Sequence, residues 1–208
     1  MRTKGIKQQA IGSKWDWQFV AKSYLALAYI GVEEMREKKY CNQPTLLWRV
    51  SKQTYDAKLL LIPIIWNIKH AIELVLKTHS VTFQKGYFKT HNLRDLKDGL
   101  AKILSIQNQS KDKKFDELVR IVDKYYSIRI FNGKLLNSQT AFDTDNDIFR
   151  YPEGNKAKFE LNLKLFGTIT DEELVGLQKE VDLINCRLNI PTKYKHLKPY
   201  WNNFSKGS

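Results

Sequence analysis

The side chains best suited to chemistry lie in one apolar stretch near the middle of the sequence. Lys69, His70, Glu73 and Lys77 interrupt a helical pattern that is otherwise apolar. Residues 69, 73 and 77 are spaced i, i+4, i+8, so they share one helix face and Glu73 can pair with either lysine. An imidazole, a carboxylate and an ammonium group together can transfer protons and bind phosphate. If the face is buried, the same groups must pair with one another, because isolated buried charge is costly.

A second polar cluster follows a turn at Gly86. Residues 89–93 read K-T-H-N-L and open another helical pattern, which includes Arg94. His70 and His91 are the candidates for proton transfer. Lys89, His91 and Arg94 are candidates for contacts with phosphate.

The two clusters together resemble the HEPN superfamily of small helical domains. The resemblance rests on the E-x-x-x-K spacing of Glu73 and Lys77 and on the K-T-H-N-L sequence at 89–93, and it extends over residues 15–130. It implies a helical bundle that forms a homodimer and binds RNA or nucleotides, in a bacterial defence or toxin–antitoxin setting. Glu73 and Lys77 would shape the pocket. Whether this pair is buried or lines an open site stays undecided by the sequence, and we expect the open site.

The motif of RNA-cleaving HEPN proteins, an Arg followed by four to six residues and then a His, is missing. None of the four histidines has an Arg five to seven positions before it. We therefore expect a non-catalytic RNA- or nucleotide-binding module, with no metal and no cofactor. Two alternatives remain. One is a ribonuclease with a rearranged site at His70 or His91, and the other is a helical protein-interaction scaffold.

The charge balance favours a polyanionic partner. The chain has 35 Lys and Arg against 22 Asp and Glu, a net charge of +13, which attracts nucleic acid. Residues 185–208 contain five basic residues, no acid, and four aromatic residues. Cations and aromatic rings together suit single-stranded nucleic acid, so Lys193, Lys195 and Trp201 are further candidates for RNA contacts. The alternative is a C-terminal strap whose aromatic side chains pack on the core.

Composition indicates a single helical domain. The chain is 42% hydrophobic and 12% aromatic, with ten Gly and five Pro among 208 residues, too few turn residues for a sandwich or barrel. The two cysteines have no metal-like spacing. The longest apolar run, Leu59 to Trp66, is too short to span a membrane. We expect a cytoplasmic protein with one domain at 1–190 and a basic tail at 191–208.

Hydrophobic periodicity predicts an all-α, up-and-down bundle of four to five main helices. The first helix is predicted from Ser13 to about Lys39, where apolar residues recur at three- and four-residue spacing, at Trp15, Phe19, Leu25, Ala26, Tyr29 and Ile30. The second helical stretch is predicted in two pieces, 45–60 and 62–79, either separate or joined as one bent rod. Later helices are predicted at 90–106 and 115–130, and a last helix begins at Thr170 and is stopped by Pro191. The helix at 90–106 has an apolar stripe at Leu93, Leu96, Leu100 and Ile103, and Thr90 or Asn92 offers it a cap. Thr170 and Glu173 have the spacing of a capping box.

An irregular insertion is predicted at about residues 131–168. Asp143 to Asp147 resembles a calcium loop, but the required Gly and Glu are missing from its sixth and twelfth positions, which excludes an EF-hand. Arg150 is a candidate that points toward the pocket of Glu73 and Lys77. The alternation at 159–166 is typical of one short strand.

Overall fold

The computed structural model describes residues 14–37, 47–50, 53–56, 60–84, 89–106, 113–127, 129–133 and 169–188. Within these residues the chain forms five α-helices and one short hairpin. The helices are α1 (Lys14–Glu37), α2 (Leu61–Gln84), α3 (Leu93–Ile106), α4 (Lys113–Tyr126) and α5 (Asp171–Leu188), and a 3-10 turn covers Ile130–Gly133. The predicted all-α helical bundle is confirmed.

Helix α2 is the centre of the bundle and contacts α1, α3 and α5. Its apolar face is fully buried, with Ile65, Ile68, Ile72 and Leu76 among the largest enclosed side chains. Burial of each such side chain contributes about 1.5–3 kcal/mol. This burial explains why the strongest helical pattern of the sequence became the core.

Cross-helix contacts fix the directions of four helix pairs. Arg36 of α1 contacts both Asp171 and Gln178 of α5, and Lys124 and Arg187 tie α4 and α5 together through Glu180 and Glu117. Early residues of one helix meet late residues of the other in each case, so α1/α5 and α4/α5 run antiparallel. Contacts of Gly31 with Ile64, and of Tyr24 with His70, give the same arrangement for α1/α2, and Lys97 with Asp123 gives it for α3/α4.

Two helix starts follow the capping chemistry that the sequence predicts. Asn92 Oδ1 accepts hydrogen bonds from the amides of Arg94 and Asp95, which fixes the start of α3. At α5, the Glu173 amide donates to Thr170 Oγ1 and the Thr170 amide donates to Glu173 Oε2. The capping box is therefore confirmed, and each cap satisfies amides that a helix leaves open.

The helix predicted at 45–60 is wrong. The strands β1 (Leu47–Val50) and β2 (Gln53–Asp56) pair antiparallel, with Trp48 opposite Tyr55 and a two-residue connection between Val50 and Gln53. β-Branched and aromatic residues favour a pleated strand over a helix. Pro63 does not divide α2, because it stands in the first turn, where no amide hydrogen is needed.

The apolar residues that recur at helical spacing in α1 only partly coincide with its buried face. Leu25 is buried, but Phe19, Ala26 and Ile30 are exposed. The residues that pack inward are Ala21, Leu25, Ala28, Val32 and Met35. This helix is apolar on several faces, so its periodicity alone did not select the face that meets α2.

We expect the burial of Tyr125 to make stability fall in alkali. The side chain is fully buried and its hydroxyl donates to Glu180 Oε2 at 2.9 Å. Burial, and then the charge of Glu180, raise the pKa of Tyr125 well above 10.0. Unfolded chains lose this proton near pH 10 while the folded protein keeps it, so its contribution is complete below that pH and is lost as pH rises.

Urea unfolding at several pH values between about 9 and 11 measures this effect. Tyr125→Phe should flatten the alkaline loss of stability relative to wild type, whereas Tyr126→Phe is the control and should keep the wild-type slope. Equal slopes in all three proteins would contradict the assignment.

Candidate functional site

A buried carboxylate on α2 is the centre of the candidate site. Glu73 Oε1 lies 2.7 Å from Lys77 Nζ and 2.9 Å from His91 Nδ1. Its other oxygen, Oε2, lies 3.7 Å from His70 Nδ1, an ion-pair distance that is too long for a hydrogen bond. The structure thus brings together four residues that the sequence singles out as chemical candidates, from two separate clusters.

Local structure explains why these groups meet. Glu73 and Lys77 are one helical turn apart, so their pairing follows from the geometry of α2. His91 comes from the segment before α3, where the Asn92 amide donates to Thr90 Oγ1 at 3.0 Å and Asn92 caps the helix. This capped turn holds His91 in place against the side of α2.

The charged residues of the site that lie on α2 are buried. Glu73 and Lys77 are buried, and Lys69, one turn before Glu73, is buried as well. The expectation that Glu73 and Lys77 line an open site is therefore wrong for this pair. The predicted mutual pairing of buried charges holds, because Lys77 Nζ donates to the carboxylate at 2.7 Å.

His91 connects the buried carboxylate to the surface, since its side chain is 69% exposed. Glu73 Oε1 accepts from Lys77, which can only donate, and a carboxylate oxygen in that role also accepts from an imidazole N–H. The proton of a neutral His91 is therefore assigned to Nδ1, which leaves Nε2 as an acceptor on the solvent side. A carboxylate that fixes the tautomer of an imidazole is a general feature of proton-transfer sites.

Aromatic rings position the second histidine. The His70 ring centroid lies 4.3 Å from that of Trp66 and 5.5 Å from that of Tyr24 on α1. Ring contacts at these distances stabilise a fixed orientation. Trp66 Nε1 is buried and has no hydrogen-bond partner among the described residues. Tyr24 escaped prediction because nothing in its local sequence indicates a contact with a ring on another helix.

Two cations stand on the same segment as His91. Lys89 and Arg94 are both exposed, and Arg94 Nε lies 3.8 Å from Asp98 Oδ2 in a solvated pair. Such a pair is weak, so the guanidinium can exchange its partner for a phosphate at little cost. The first turn of α3 and the residues before it therefore present Lys89, His91 and Arg94 together.

The remaining candidates lie outside the described residues. These are Arg150, Lys193, Lys195 and Trp201, and with them the short strand predicted at 159–166, most of the insertion and the basic tail. Within the described part of the chain, no three His, Cys, Asp or Glu side chains form a group that could hold a metal ion. None of the helices described there is long and apolar enough to cross a membrane.

The chain matches no protein-family model, and neither a curated protein nor a solved structure matches it. The HEPN resemblance therefore rests on the two sequence motifs and stays a prediction.

Proposed function

We propose that this protein is a non-catalytic, HEPN-like module that binds RNA or nucleotides at the start of α3. The observation that carries the proposal is the anchoring of exposed His91 on buried Glu73, beside two exposed cations on the same segment. A preorganised cationic surface binds phosphate at a lower entropic cost than mobile side chains do. The net charge of +13 supports the same class of partner.

Binding should depend steeply on salt. If about three to five phosphates are neutralised, the slope of log affinity against log salt should be about −2 to −4, at roughly 0.7 for each contact with a single strand. Fluorescence anisotropy with a labelled single-stranded RNA at several KCl concentrations gives this slope. Absence of binding at low ionic strength would refute the proposal.

Two double variants test whether Lys89 and Arg94 contact the RNA phosphates. Lys89→Ala/Arg94→Ala should make the slope less steep by about 1.4, because two phosphate contacts are lost. Arg120→Ala/Lys179→Ala removes the same charge from exposed positions on α4 and α5, and should leave the slope near its wild-type value. Equal slopes in the two variants would place the RNA elsewhere on the protein.

The contact of His91 with Glu73 also favours a second candidate, a ribonuclease with a rearranged site. In this reaction His91 Nε2 takes the proton of a ribose 2′-hydroxyl, and O2′ attacks the adjacent phosphorus to form a 2′,3′-cyclic phosphate. The bond from phosphorus to O5′ breaks, and O5′ takes its proton from water. His70 is mostly buried between aromatic rings, which leaves the surface with one well-exposed imidazole from this cluster.

We expect no metal-independent RNA cleavage by wild type, His70→Ala or His91→Ala, because the Arg and His spacing of the family's nucleases is missing. The assay incubates structured and unstructured RNA with each protein in the presence of a chelator. Cleavage by wild type that either substitution abolishes would replace the binding module with the nuclease. Equal cleavage by all three proteins would indicate another nuclease in the sample.

A further inference from the structure

One face of α1 is apolar and exposed to solvent. Phe19, Val20, Leu27 and Ile30 have 57%, 39%, 57% and 60% of their surface exposed. Ser23 and Ala26 complete the same face and are exposed as well. These six positions carry no charge, although 27% of all residues in the chain are charged. A contiguous exposed apolar face of this kind is typical of a surface that another segment covers.

The exposed face of α1 changes from apolar to acidic along the helix. Glu34 and Glu37 continue the stripe after Ile30 at helical spacing, so its C-terminal end is acidic. Residues 19–30 span about 17 Å of helix at 1.5 Å for each residue. A segment that covers this face must supply apolar side chains over that length and basic side chains at the acidic end.

The direction of α5 brings the chain to this face. Arg36 contacts Asp171 at the start of α5, while Tyr29, two turns earlier in α1, lies beside Gln178 and Asp182. Continuing six residues from Asp182 to Leu188 advances about 9 Å, which is level with Ser23 on α1. The chain therefore leaves α5 level with the N-terminal part of the exposed face.

The residues that follow Leu188 have the required chemistry. Residues 189–208 contain four aromatic side chains, at Tyr194, Tyr200, Trp201 and Phe204, together with four lysines and no acid. An extended chain covers about 3.3 Å for each residue, so this segment is long enough to run along the whole face. Aromatic groups suit the apolar stripe, and the lysines suit its acidic end.

We propose that residues 192–208 dock on the exposed face of α1, with Trp201 against Leu27 and Ile30 and lysines beside Glu34 and Glu37. This assigns Trp201 to packing and removes it from the candidates for RNA contacts. The proposal does not depend on nucleic-acid binding, since it rests on the exposed face, the direction of α5 and the charge of the two segments.

Fluorine NMR of the full chain, labelled with 5-fluorotryptophan, tests the docking. The chain has five tryptophans, and loss of one signal in Trp201→Phe assigns that residue. We expect a soluble neutral nitroxide to broaden the Trp201 signal much less than it broadens free fluorotryptophan. Leu27→Ser/Ile30→Ser should bring the broadening to the level of the free amino acid, while the control Val119→Ser/Val175→Ser leaves it unchanged.

Three outcomes would overturn the proposal. A Trp201 signal that is broadened like the free amino acid in wild type means that the residue is not packed. Protection that persists in Leu27→Ser/Ile30→Ser places Trp201 on another surface. Protection that appears only as a dimer forms, measured by light scattering at several protein concentrations, means that a second copy covers the face. Circular dichroism melts check that each variant is folded. The substituted positions on α1, α4 and α5 are exposed or half-buried, so these substitutions should leave the fold intact.

Discussion

Lys77→Ala should lower the free energy of unfolding by about 3–5 kcal/mol. Lys77 is 7% exposed and its Nζ lies 2.7 Å from Glu73 Oε1. Removing the ammonium group leaves a buried carboxylate without its closest partner, and the protein interior cannot replace the lost solvation. Urea unfolding of wild type and variant measures the difference.

Two further variants separate the charge from the packing of the side chain. Lys77→Met keeps most of the apolar stem and should show most of the loss, since the buried carboxylate still lacks its ammonium partner. Arg94→Ala breaks an exposed i, i+4 pair with Asp98, so it should change stability by less than about 1 kcal/mol. A loss below about 1 kcal/mol for Lys77→Ala would mean that water reaches the carboxylate.

Gly31→Val should destabilise the protein by about 2–3 kcal/mol, because the valine side chain would collide with Ile64 of α2. A Cβ atom at Gly31 would lie 2.7 Å from Cγ1 and 3.0 Å from Cδ1 of Ile64, which is itself buried. Either the isoleucine must leave its rotamer or the helices must separate. Both changes cost more than the gain in helix propensity on replacing glycine, which is about 1 kcal/mol for alanine and less for valine.

Gly176 on α5 is the matched control. A Cβ atom built there meets nothing within 4 Å, so Gly176→Ala should stabilise the protein by about 0.5–1 kcal/mol.

The double variant Gly31→Val/Ile64→Ala should be more stable than the sum of its single changes, because the smaller side chain makes room for the valine. Thermal or urea unfolding of wild type, Gly31→Val, Ile64→Ala and the double variant gives the coupling free energy between the two positions. Additive losses would show that the two residues do not compete for space.

The sequence predicts the parts of this fold that depend on neighbours along the chain. The stripe of Leu93, Leu96 and Leu100 is buried as its spacing indicates, and the caps at Asn92 and Thr170 form as their residue types require. Pairing of Glu73 with Lys77 also follows from one helical turn. Each of these features depends on residues that are four or fewer positions apart at or within one helix.

The errors occur where a segment had more than one local solution. Residues 45–60 carry both helical and strand character, and the pairing of Trp48 with Tyr55 in the hairpin register selects the strand. Helix α1 has apolar residues on several faces. Close packing of Gly31 on Ile64 and burial of Ala28 select the face that meets α2, which leaves Phe19 and Ile30 on a different, exposed face of α1.

For the candidate site too, the sequence predicts one part and the tertiary structure decides the other. Sequence spacing alone places Glu73 beside Lys77, and residue type alone makes Lys89, His91 and Arg94 candidates for phosphate contacts. Only the tertiary structure brings His91 to Glu73 across 18 residues and sets Tyr24 against His70. Periodicity reports the geometry within one helix, whereas the distance between two helices depends on how their side chains pack together. That packing buries Lys77 and leaves His91 exposed to solvent.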